Sequence, residues 1–247
     1  MKLYKKSDDT SYTLGVFPTI ELLKTRPKDV VRVIVHSSIE KNNGYPLIQE
    51  LCQQYHIHID IHDKTIDKLS PKNNCFAIAV FKKYRSQIID GNHVVLVNPM
   101  DMGNMGTIMR TMLGFNYTNL IIIRPAVDIF DPKVVRSSMG AIFHLNIQYY
   151  DSFSTYYKQF QHHEFYPLML KGAKNIHKVS TNHIHSLVFG NESCGLPDEY
   201  LEYGQSVFIP HTSYIDSLNL SMALGLTLFH FSKGMFIDQS VLRNQFE

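Results

Sequence analysis

The sequence contains few cysteines and no CxxC pair. Its three cysteines, Cys52, Cys75 and Cys194, are an odd number and lie far apart, which argues against a disulfide framework and against a structural zinc site. We expect all three to be reduced thiols. The longest apolar runs, such as residues 94–97 and 120–123, are far too short to cross a bilayer, and the first residues lack the apolar core of a signal peptide. These absences predict a cytoplasmic protein without membrane contact.

Familiar phosphate-binding motifs are also missing. The pattern GxxxxGK[ST] is absent throughout, and no GxGxxG follows the apolar run at residues 93–97, so neither a P-loop nor a dinucleotide-binding fold has support. The net charge is only +2, which permits nucleic-acid binding without indicating it. With 44% hydrophobic and 19% charged residues in 247 positions, the chain has the composition of a folded protein of one large or two ordinary domains.

The first third of the chain alternates between strand and helix patterns. Apolar periodicity predicts helices over 17–24 and 46–55 and strands over 30–36, 57–61 and 76–81, with a polar stretch over 64–74 that ends in a turn signal at 70–74. In the strand over 57–61, the alternation places His56, His58, Asp60 and His62 on one face. We interpret this as the polar face of a half-buried strand in preference to a metal site. These elements are sufficient for a small α/β domain.

The remaining part continues the alternation. Strands are predicted over 93–97, 119–123, 145–149, 165–170, 187–189 and 206–209, and helices over 104–114, 133–141, from Pro197 and over 217–231. Continuous apolar strands that alternate with helices indicate a mostly parallel sheet covered on both faces. Ligands of such sheets bind beyond the carboxyl ends of the strands. The polar residues 90–92 mark a boundary between domains 1–88 and 89–247.

Three polar segments, each with glycine or asparagine residues, follow predicted strands in the second domain. They read NPMDMGNMGTIMRT at 98–111, VFGNESCGLP at 188–197 and IPHTSYIDSLNLSMA at 209–223. The glycines of the first segment allow the backbone to approach a ligand closely, and Arg110 projects from the helix that follows. Ser217, Asn219 and Ser221 enter the last helix with groups that can cap it or bind a polar substrate.

In their order and spacing, these segments resemble the three motifs of the SpoU (TrmH-like) class of the SPOUT superfamily of RNA methyltransferases, over about residues 94–231. Residues 15–70 resemble the small ribosomal-protein-like RNA-binding domain that often precedes that catalytic domain. The resemblance implies an α/β fold with a SPOUT-type parallel sheet and a deep C-terminal trefoil knot, an exception to the rule that chains do not thread their own loops. It also implies a homodimer formed through the knotted domains, an S-adenosylmethionine cofactor and an RNA substrate. The separate first domain favours rRNA over tRNA.

The resemblance also implies roles for individual residues. Backbone near Gly190, Ile209 and Leu218 would hold S-adenosylmethionine, and the polar site would consist of Asn104, Arg110, Glu192, Ser217 and Asn219. Because a sulfonium methyl group is already activated, the protein mainly has to align the ribose 2′-oxygen and manage its proton. Arg110 would act as the base or, since guanidinium is normally protonated, as a clamp on the phosphate beside the target ribose.

Structural roles compete with these assignments. Arg110 could be a helix-surface arginine paired with an acid, and Glu192 could orient Arg110 or a substrate hydroxyl, or cap the helix after it. Asn104, Ser217 and Asn219 could be turn or cap residues. For RNA, candidate phosphate and stacking contacts, which a solvated charged face explains equally well, are Lys2, Lys5, Lys6, Lys24, Lys28, Lys82, Lys83 and Arg85, with Tyr4 and Tyr84.

Two other functions remain open at this point. The first is a non-catalytic RNA-binding or ribosome-assembly factor on the same fold, against which the retained Arg110, Glu192, Ser217 and Asn219 argue. The second is methylation of a base nitrogen in tRNA, which the Ser-Leu-Asn sequence at 217–219 disfavours.

Overall fold

A computed structural model describes residues 2–70 and 74–233 of the chain. The turn predicted over 70–74 lies mostly outside these residues, as does the unassigned tail at 238–247. In the part described, no helix combines the length and apolarity that a membrane span requires.

Residues 10–82 build a four-stranded mixed sheet with three helices. The elements are β1 (Thr10–Tyr12), α1 (Val16–Thr25), β2 (Val30–Val35), α2 (Tyr45–Gln54), β3 (Ile59–Ile61), α3 (Asp63–Leu69) and β4 (Ala77–Lys82). The strand order is β1-β4-β2-β3, with β4 antiparallel to both of its neighbours and β3 parallel to β2. The predicted helices and strands of this part are all present, with ends that differ by a few residues.

The histidine alternation predicted for the strand over 57–61 is wrong in its extent. Only Ile59–Ile61 forms β3, because His56 has a left-handed φ of 55° and the His62 side chain leaves the strand pattern to cap α3. The His62 Nδ1 accepts the Thr65 N–H at 3.2 Å. The His58 Nε2 lies 2.9 Å from the Asp60 Oδ1. His58 and Asp60 therefore pair with each other, whereas His62 serves as a helix cap.

The second part of the chain forms a five-stranded, fully parallel sheet of order β7-β6-β5-β10-β8. Its elements are β5 (His93–Val97), α4 (Met102–Gly114), β6 (Asn119–Ile123), α5 (Pro132–Ser137), β7 (Asn146–Tyr150), α6 (Phe153–Gln159), β8 (Glu164–Pro167) and β10 (His185–Phe189). Two short parallel strands, β9 (Lys174–Asn175) and β11 (Val207–Phe208), pair beside it, and α7 (Leu220–Phe231) ends the described fold. The predicted parallel α/β architecture is confirmed.

Apolar residues on both faces of the central strands explain why this sheet is covered on both sides. Val94 and Leu96 of β5 belong to one core cluster with α4, α5 and α7, whereas Val95 and Val97 belong to a second cluster with α6. Close helix packing depends on Gly106 in α4, since a Cβ there would lie 1.9 Å from the Ser137 Oγ. The alternation of strand side chains thus fixes the two helical layers.

Several element ends differ from prediction for local reasons. The helix predicted over 133–141 ends at Ser137 because Met139 and Gly140 have φ angles of 50° and 85°, which a right-handed helix excludes. The predicted strand over 165–170 ends at Pro167. After Pro197 the chain forms a short 3-10 helix, Asp198–Tyr203. The last helix begins at Leu220 instead of residue 217 because Asn219 is its N-cap.

Buried and half-buried contacts join the first sheet to the helical layer on one face of the second sheet. The Ser11 hydroxyl donates to the Phe130 carbonyl at 2.5 Å, and the Tyr84 hydroxyl donates to the Ile142 carbonyl at 3.1 Å. The Phe81 ring of β4 meets the Phe143 ring edge-on at 5.4 Å between centroids. The first sheet therefore packs on the layer that contains α5 and the residues after it.

Candidate active site

The second and third of the polar segments, at 188–197 and 209–223, meet at one cleft beyond the carboxyl end of β10. Its volume is about 560 Å³, within the range of small-molecule sites. Its lining residues are 168–171, 189–196, 198, 207–209, 211, 216–220 and 223. Because β10 lies between β5 and the edge strand β8, the cleft is at the carboxyl end of an inner strand, and the carboxyl ends of the strands are where a doubly covered parallel sheet binds ligands.

Most of the predicted site residues line this cleft. They are Gly190, Glu192, Ile209, Ser217, Leu218 and Asn219. Asn104 and Arg110 do not line it. Asn104 is nevertheless joined to the cleft by a hydrogen bond from the Asn219 Nδ2 to its Oδ1, 3.1 Å long.

Backbone segments approach each other closely at Gly190. A Cβ at this position would lie 2.2 Å from the Gly195 carbonyl carbon and 2.5 Å from the Leu196 nitrogen, so a larger residue would force the turn apart. Gly195 itself has a left-handed φ of 68°, which glycine adopts at little cost. The two glycines permit a tight turn whose backbone lines the cleft.

Asn191 holds this turn, and the sequence-based assignment missed it. Its Oδ1 accepts the Ser193 N–H at 2.8 Å, and its Nδ2 donates to the Asn98 carbonyl at 2.7 Å. The first contact is an Asx turn, for which an asparagine two residues before the bonded N–H is the sequence signal. The second contact joins residues 93 positions apart and has no local signal. Asn191 thereby ties the carboxyl end of β10 to that of β5.

Glu192 contacts neither Arg110 nor the helix that follows it. Its carboxylate accepts the backbone N–H groups of Met100 at 3.1 Å and of Asp101 at 3.2 Å. Asp101 in turn caps α4, since its Oδ1 accepts the Asn104 N–H at 2.6 Å. Two carboxylates therefore lie at the positive N-terminal end of α4, where negative charge is stabilised. The alternative that Glu192 caps the helix after it is therefore not formed.

Asn219 combines the two roles that the sequence left open. Its Oδ1 accepts the N–H groups of Ser221 at 2.9 Å and of Met222 at 3.4 Å, which makes it the N-cap of α7. Its Nδ2 reaches Asn104 on α4. Ser217 has no capping bond, and within residues 2–70 and 74–233 its exposed hydroxyl has no hydrogen-bond partner. Its hydroxyl is available to a ligand.

Arg110 lies exposed on α4, six residues after Asn104. No acid or other hydrogen-bond acceptor contacts its side chain among the residues that the structure describes, so the predicted alternative of a surface ion pair is not formed there. At about 100° of rotation per residue, Arg110 is turned about 120° around the helix from Asn104 and lies about 9 Å along its axis. Its guanidinium therefore lies off the face of α4 that meets α7.

Other residues of the cleft were not predicted. Lys171 and Asp198 form an exposed ion pair at its rim, and Leu168 contributes apolar surface. The His211 Nδ1 lies 2.8 Å from the Ile209 carbonyl oxygen. The exposed Cys194 thiol is near Asn191, with 3.6 Å from Sγ to Oδ1. The cleft thus combines apolar walls with hydrogen-bonding groups.

Known proteins share both the sequence and the fold of this chain. The model of the SpoU rRNA Methylase family matches residues 91–229. A Listeria innocua protein named "Putative tRNA (cytidine(34)-2'-O)-methyltransferase" is 35% identical over 136 residues, which are 53% of this chain and 80% of that protein. An Archaeoglobus fulgidus protein named "Uncharacterized tRNA/rRNA methyltransferase" is 24% identical over 205 residues, 81% of this chain and 91% of that protein.

Solved structures extend the likeness to the first sheet. The AdoMet-bound rRNA methyltransferase from Sinorhizobium meliloti superposes with a TM-score of 0.79 over 93% of this chain and 89% of its own, at 20% identity. At that identity the likeness concerns the fold alone. It covers both sheets, whereas the Listeria innocua relative covers little more than half of the chain.

Proposed function

The chain belongs to the SpoU rRNA Methylase family, which its match over residues 91–229 shows, and from this premise we propose that its cleft performs ribose 2′-O-methylation of a transfer RNA. The chain is an S-adenosylmethionine-dependent RNA methyltransferase of this family. The observation that carries the proposal is the convergence of Gly190, Ile209, Leu218 and Asn219 on one cleft at the carboxyl edge of the sheet. A non-catalytic RNA-binding factor is thereby disfavoured.

The cleft fits S-adenosylmethionine. Gly190 lets the backbone at Gly195 and Leu196 pack directly against it, and the tight turn that results lines the cleft. Leu168, Ile209 and Leu218 supply apolar surface for a flat adenine, and the backbone around them supplies hydrogen-bonding groups. When bound, the cofactor supplies an activated methyl group on a sulfonium sulfur. We assign Gly190, Ile209 and Leu218 to holding it.

Arg110 is the residue that we assign to the RNA. A guanidinium remains protonated at neutral pH and matches phosphate geometry, so Arg110 clamps the phosphate beside the target ribose and holds the 2′-oxygen in line. Its exposed position and its lack of an acceptor in the described chain suit this role. Ser217, at the cleft, offers a hydroxyl to the same ribose.

Asn104, Asn219 and Glu192 act as positioning residues in this proposal. Glu192 holds the backbone at Met100 and Asp101, and Asn219 holds Asn104. Together these contacts fix the N-terminal end of α4 relative to the cleft, and α4 carries Arg110. A misplacement of about 1 Å in such a constellation can lower the rate of methyl transfer by about 100-fold.

The choice of tRNA departs from the sequence-based preference for rRNA. This choice of RNA rests on the Listeria innocua relative, whose name specifies a cytidine ribose of tRNA and which aligns over 80% of its own length. One observation favours rRNA as a second candidate: the Sinorhizobium meliloti structure, called an rRNA methyltransferase, matches both sheets of this chain. The proteins behind the two candidates differ in coverage: the Sinorhizobium meliloti structure matches both sheets, whereas the Listeria innocua relative aligns with 53% of this chain.

We further propose that residues 1–88 bind substrate RNA and that residues 89–247 form the catalytic domain with a trefoil knot. The strand order supports the knot, because β10 is inserted between β5 and β8 and the chain then returns through β11 to pack α7 on α4. A chain trace in an experimental electron-density map would test it.

The absence of any pairing between the three cysteines supports the proposal that the protein acts in the reducing cytoplasm.

A homodimer through the second domain is also proposed. Met222, Leu226 and Phe229 of α7 are 58%, 43% and 62% exposed, and their i, i+4, i+7 spacing places them on one stripe of the helix. The Phe115 ring, just after α4, extends the stripe with a centroid 6.4 Å from that of Phe229. A second copy of the chain would cover this apolar surface.

The proposed reaction is tested by methyl transfer from labelled S-adenosylmethionine to unmodified tRNA and rRNA transcripts, with wild type, Arg110→Ala and the control Lys158→Ala. Lys158 is an exposed cation on α6, remote in the sequence from the cleft. We expect label on tRNA with wild type and Lys158→Ala and its loss with Arg110→Ala. Label on rRNA alone would select the second candidate, and no transfer to either RNA would overturn the proposed reaction.

A further inference from the structure

A second concavity lies where the two sheets meet. Its volume is about 500 Å³, and we call it the basic groove. Its lining residues are Lys6, Lys83, Arg124, Pro125, Ala126, Val127, Asp128, Phe130 and Tyr149. Lys6 precedes β1, Lys83 follows β4 and Arg124 follows β6, so three separate segments bring cations to one place.

Arg124 forms one wall of the basic groove. Its guanidinium carbon lies 4.7 Å from the centroid of the Tyr149 ring, an arrangement that holds the planar group in place. Its only described acid partner is Asp151, 3.2 Å away, in a pair whose side chains are 53% and 92% exposed. Exposed pairs of this kind are weak, so a phosphate can take the place of Asp151.

Lys83 neutralises the one carboxylate that lines the groove. Its Nζ lies 3.8 Å from the Asp128 Oδ2, with both side chains less than one-fifth exposed, and 4.7 Å from the Tyr4 ring centroid. The same Nζ donates to the Lys6 carbonyl at 2.9 Å, which fixes the backbone that carries the Lys6 side chain. Lys6 is exposed, and in the described part of the chain no acceptor contacts its ammonium group. Lys6 and Arg124 are thus the cations available to a ligand.

The basic groove opens at the same edge of the parallel sheet as the cleft. Arg124 follows β6, which is the neighbour of β5. At the end of β5, the Asn98 Nδ2 contacts the Pro125 carbonyl at 3.4 Å, and the Asn98 carbonyl accepts the Asn191 side chain of the cleft at 2.7 Å. One residue therefore connects the groove wall to the turn that lines the cleft.

We infer that the basic groove binds the phosphate backbone of the substrate RNA next to the nucleotide that enters the cleft. The inference rests on the proposed function and deepens it. An ammonium and a guanidinium are the groups that bind phosphate oxygens, and an arginine fixed on a tyrosine offers a flat face on which an unpaired base can stack. Because the groove includes Lys6 and Lys83 from the first part of the chain, both domains contribute to one RNA path.

The test measures RNA affinity against salt concentration with the double variant Lys6→Gln/Arg124→Gln. The control is Lys158→Gln/Lys178→Gln, which removes two exposed cations of the second domain that do not line the groove. Fluorescence anisotropy with an unmodified tRNA transcript is expected to show roughly tenfold weaker binding for the groove variant at about 0.1 M salt. The slope of the logarithm of the RNA association constant against the logarithm of the salt concentration should fall in magnitude by about 0.7 to 0.9 for each lost phosphate contact. The control should match wild type.

Two further measurements separate the possible outcomes. S-adenosylmethionine binding and the melting temperature of the groove variant should equal those of wild type; if the double variant melts early, the single Arg124→Gln variant should still lower the slope by about half as much. If the groove and control variants show equal RNA affinity and equal salt slope, the groove assignment is wrong. The proposed function still stands in that case, provided that wild type transfers the methyl group to RNA. If wild type methylates no RNA, the function fails whatever the groove binds.

Discussion

The Asn219 side chain joins the N-terminal ends of two helices, because its Oδ1 caps α7 while its Nδ2 donates to the Asn104 Oδ1 of α4 at 3.1 Å. One amide thus serves helix stability through its oxygen and the geometry of the proposed site through its nitrogen. These two contributions can be separated by substitution.

Asn219→Asp should keep the fold and lose activity. An aspartate is as good an N-cap as asparagine, but it has no N–H to donate to Asn104. We expect the unfolding midpoint of Asn219→Asp to stay near that of wild type and its kcat for methyl transfer to fall. Asn219→Ala should lose both, with about 1 kcal/mol lower free energy of unfolding. Equal activity of wild type and Asn219→Asp would show that the Asn104 contact has no catalytic consequence.

Gly190→Ala should abolish cofactor binding. The added Cβ would lie 2.2 Å from the Gly195 carbonyl carbon, so the turn that lines the cleft must move. Isothermal titration with S-adenosylmethionine should detect no binding to the variant. The matched control is Gly114→Ala at the end of α4, where a Cβ meets nothing within 4 Å and alanine should stabilise the helix by up to about 1 kcal/mol. Normal binding by Gly190→Ala would remove this turn from the cofactor site.

Leu226→Glu should convert the proposed dimer to a monomer. The charge would be placed in the middle of the exposed apolar stripe of α7, where association would have to bury it at high cost. Sedimentation velocity measures the change. Ile61→Glu, on an exposed apolar residue of β3 that is 67% exposed, is the control and should sediment like wild type. If Leu226→Glu also remains dimeric, the stripe is not the interface.

Stability should fall below pH 6.5 because of a buried histidine network. His93 contacts the Tyr156 hydroxyl at 2.8 Å, and Tyr156 and His163 both contact the Ser186 hydroxyl. Burial, reinforced by neighbouring histidines, lowers the pKa of His93 to about 3 and the pKa of His163 to about 4. The unfolded chain therefore takes up protons below pH 6.5 while the folded chain stays neutral, so the stabilisation is complete above pH 6.5 and is lost towards pH 4.

Denaturant unfolding at several pH values between 4 and 7.5 measures this dependence. His163→Asn retains a nitrogen that can contact Ser186 but removes the titrating group, so its free energy of unfolding should depend less steeply on pH than that of wild type. The titratable neighbours of His163, namely Asp90, His93, His162 and His185, are unchanged in the variant. Identical pH profiles would mean that His163 is not the titrating group.

Local patterns were sufficient for the parallel sheet. Residues 93–97 and 119–123 were predicted to the residue, because a strand buried on both faces is a continuous apolar run between turn residues. The ends of α5 and α7 were not, since they depend on backbone angles at Met139 and Gly140 and on the choice of Asn219 over Ser217 as cap. In the sequence alone, several residues near each of these positions could equally well have ended or capped the helix.

The site was predictable where its segments carry a pattern of their own. Gly190, Ser217 and Leu218 were found from motif order and line the cleft. The partners of Glu192 were missed because they are backbone groups about 91 residues away in sequence, which no local pattern encodes. The structure leaves Arg110 outside the lining residues of the cleft and without an acceptor among the described residues, so its role depends on the RNA.

The position of the transferred methyl group distinguishes a ribose methyltransferase from a base methyltransferase. RNA labelled by the wild-type enzyme from S-adenosylmethionine would be hydrolysed with alkali and the products separated by size. Because alkaline cleavage needs a free 2′-hydroxyl, a ribose methylated at that oxygen protects its 3′ phosphodiester, and the account predicts that the label appears in alkali-resistant dinucleotides. Label recovered in mononucleotides would place the methyl group on a base and contradict the account.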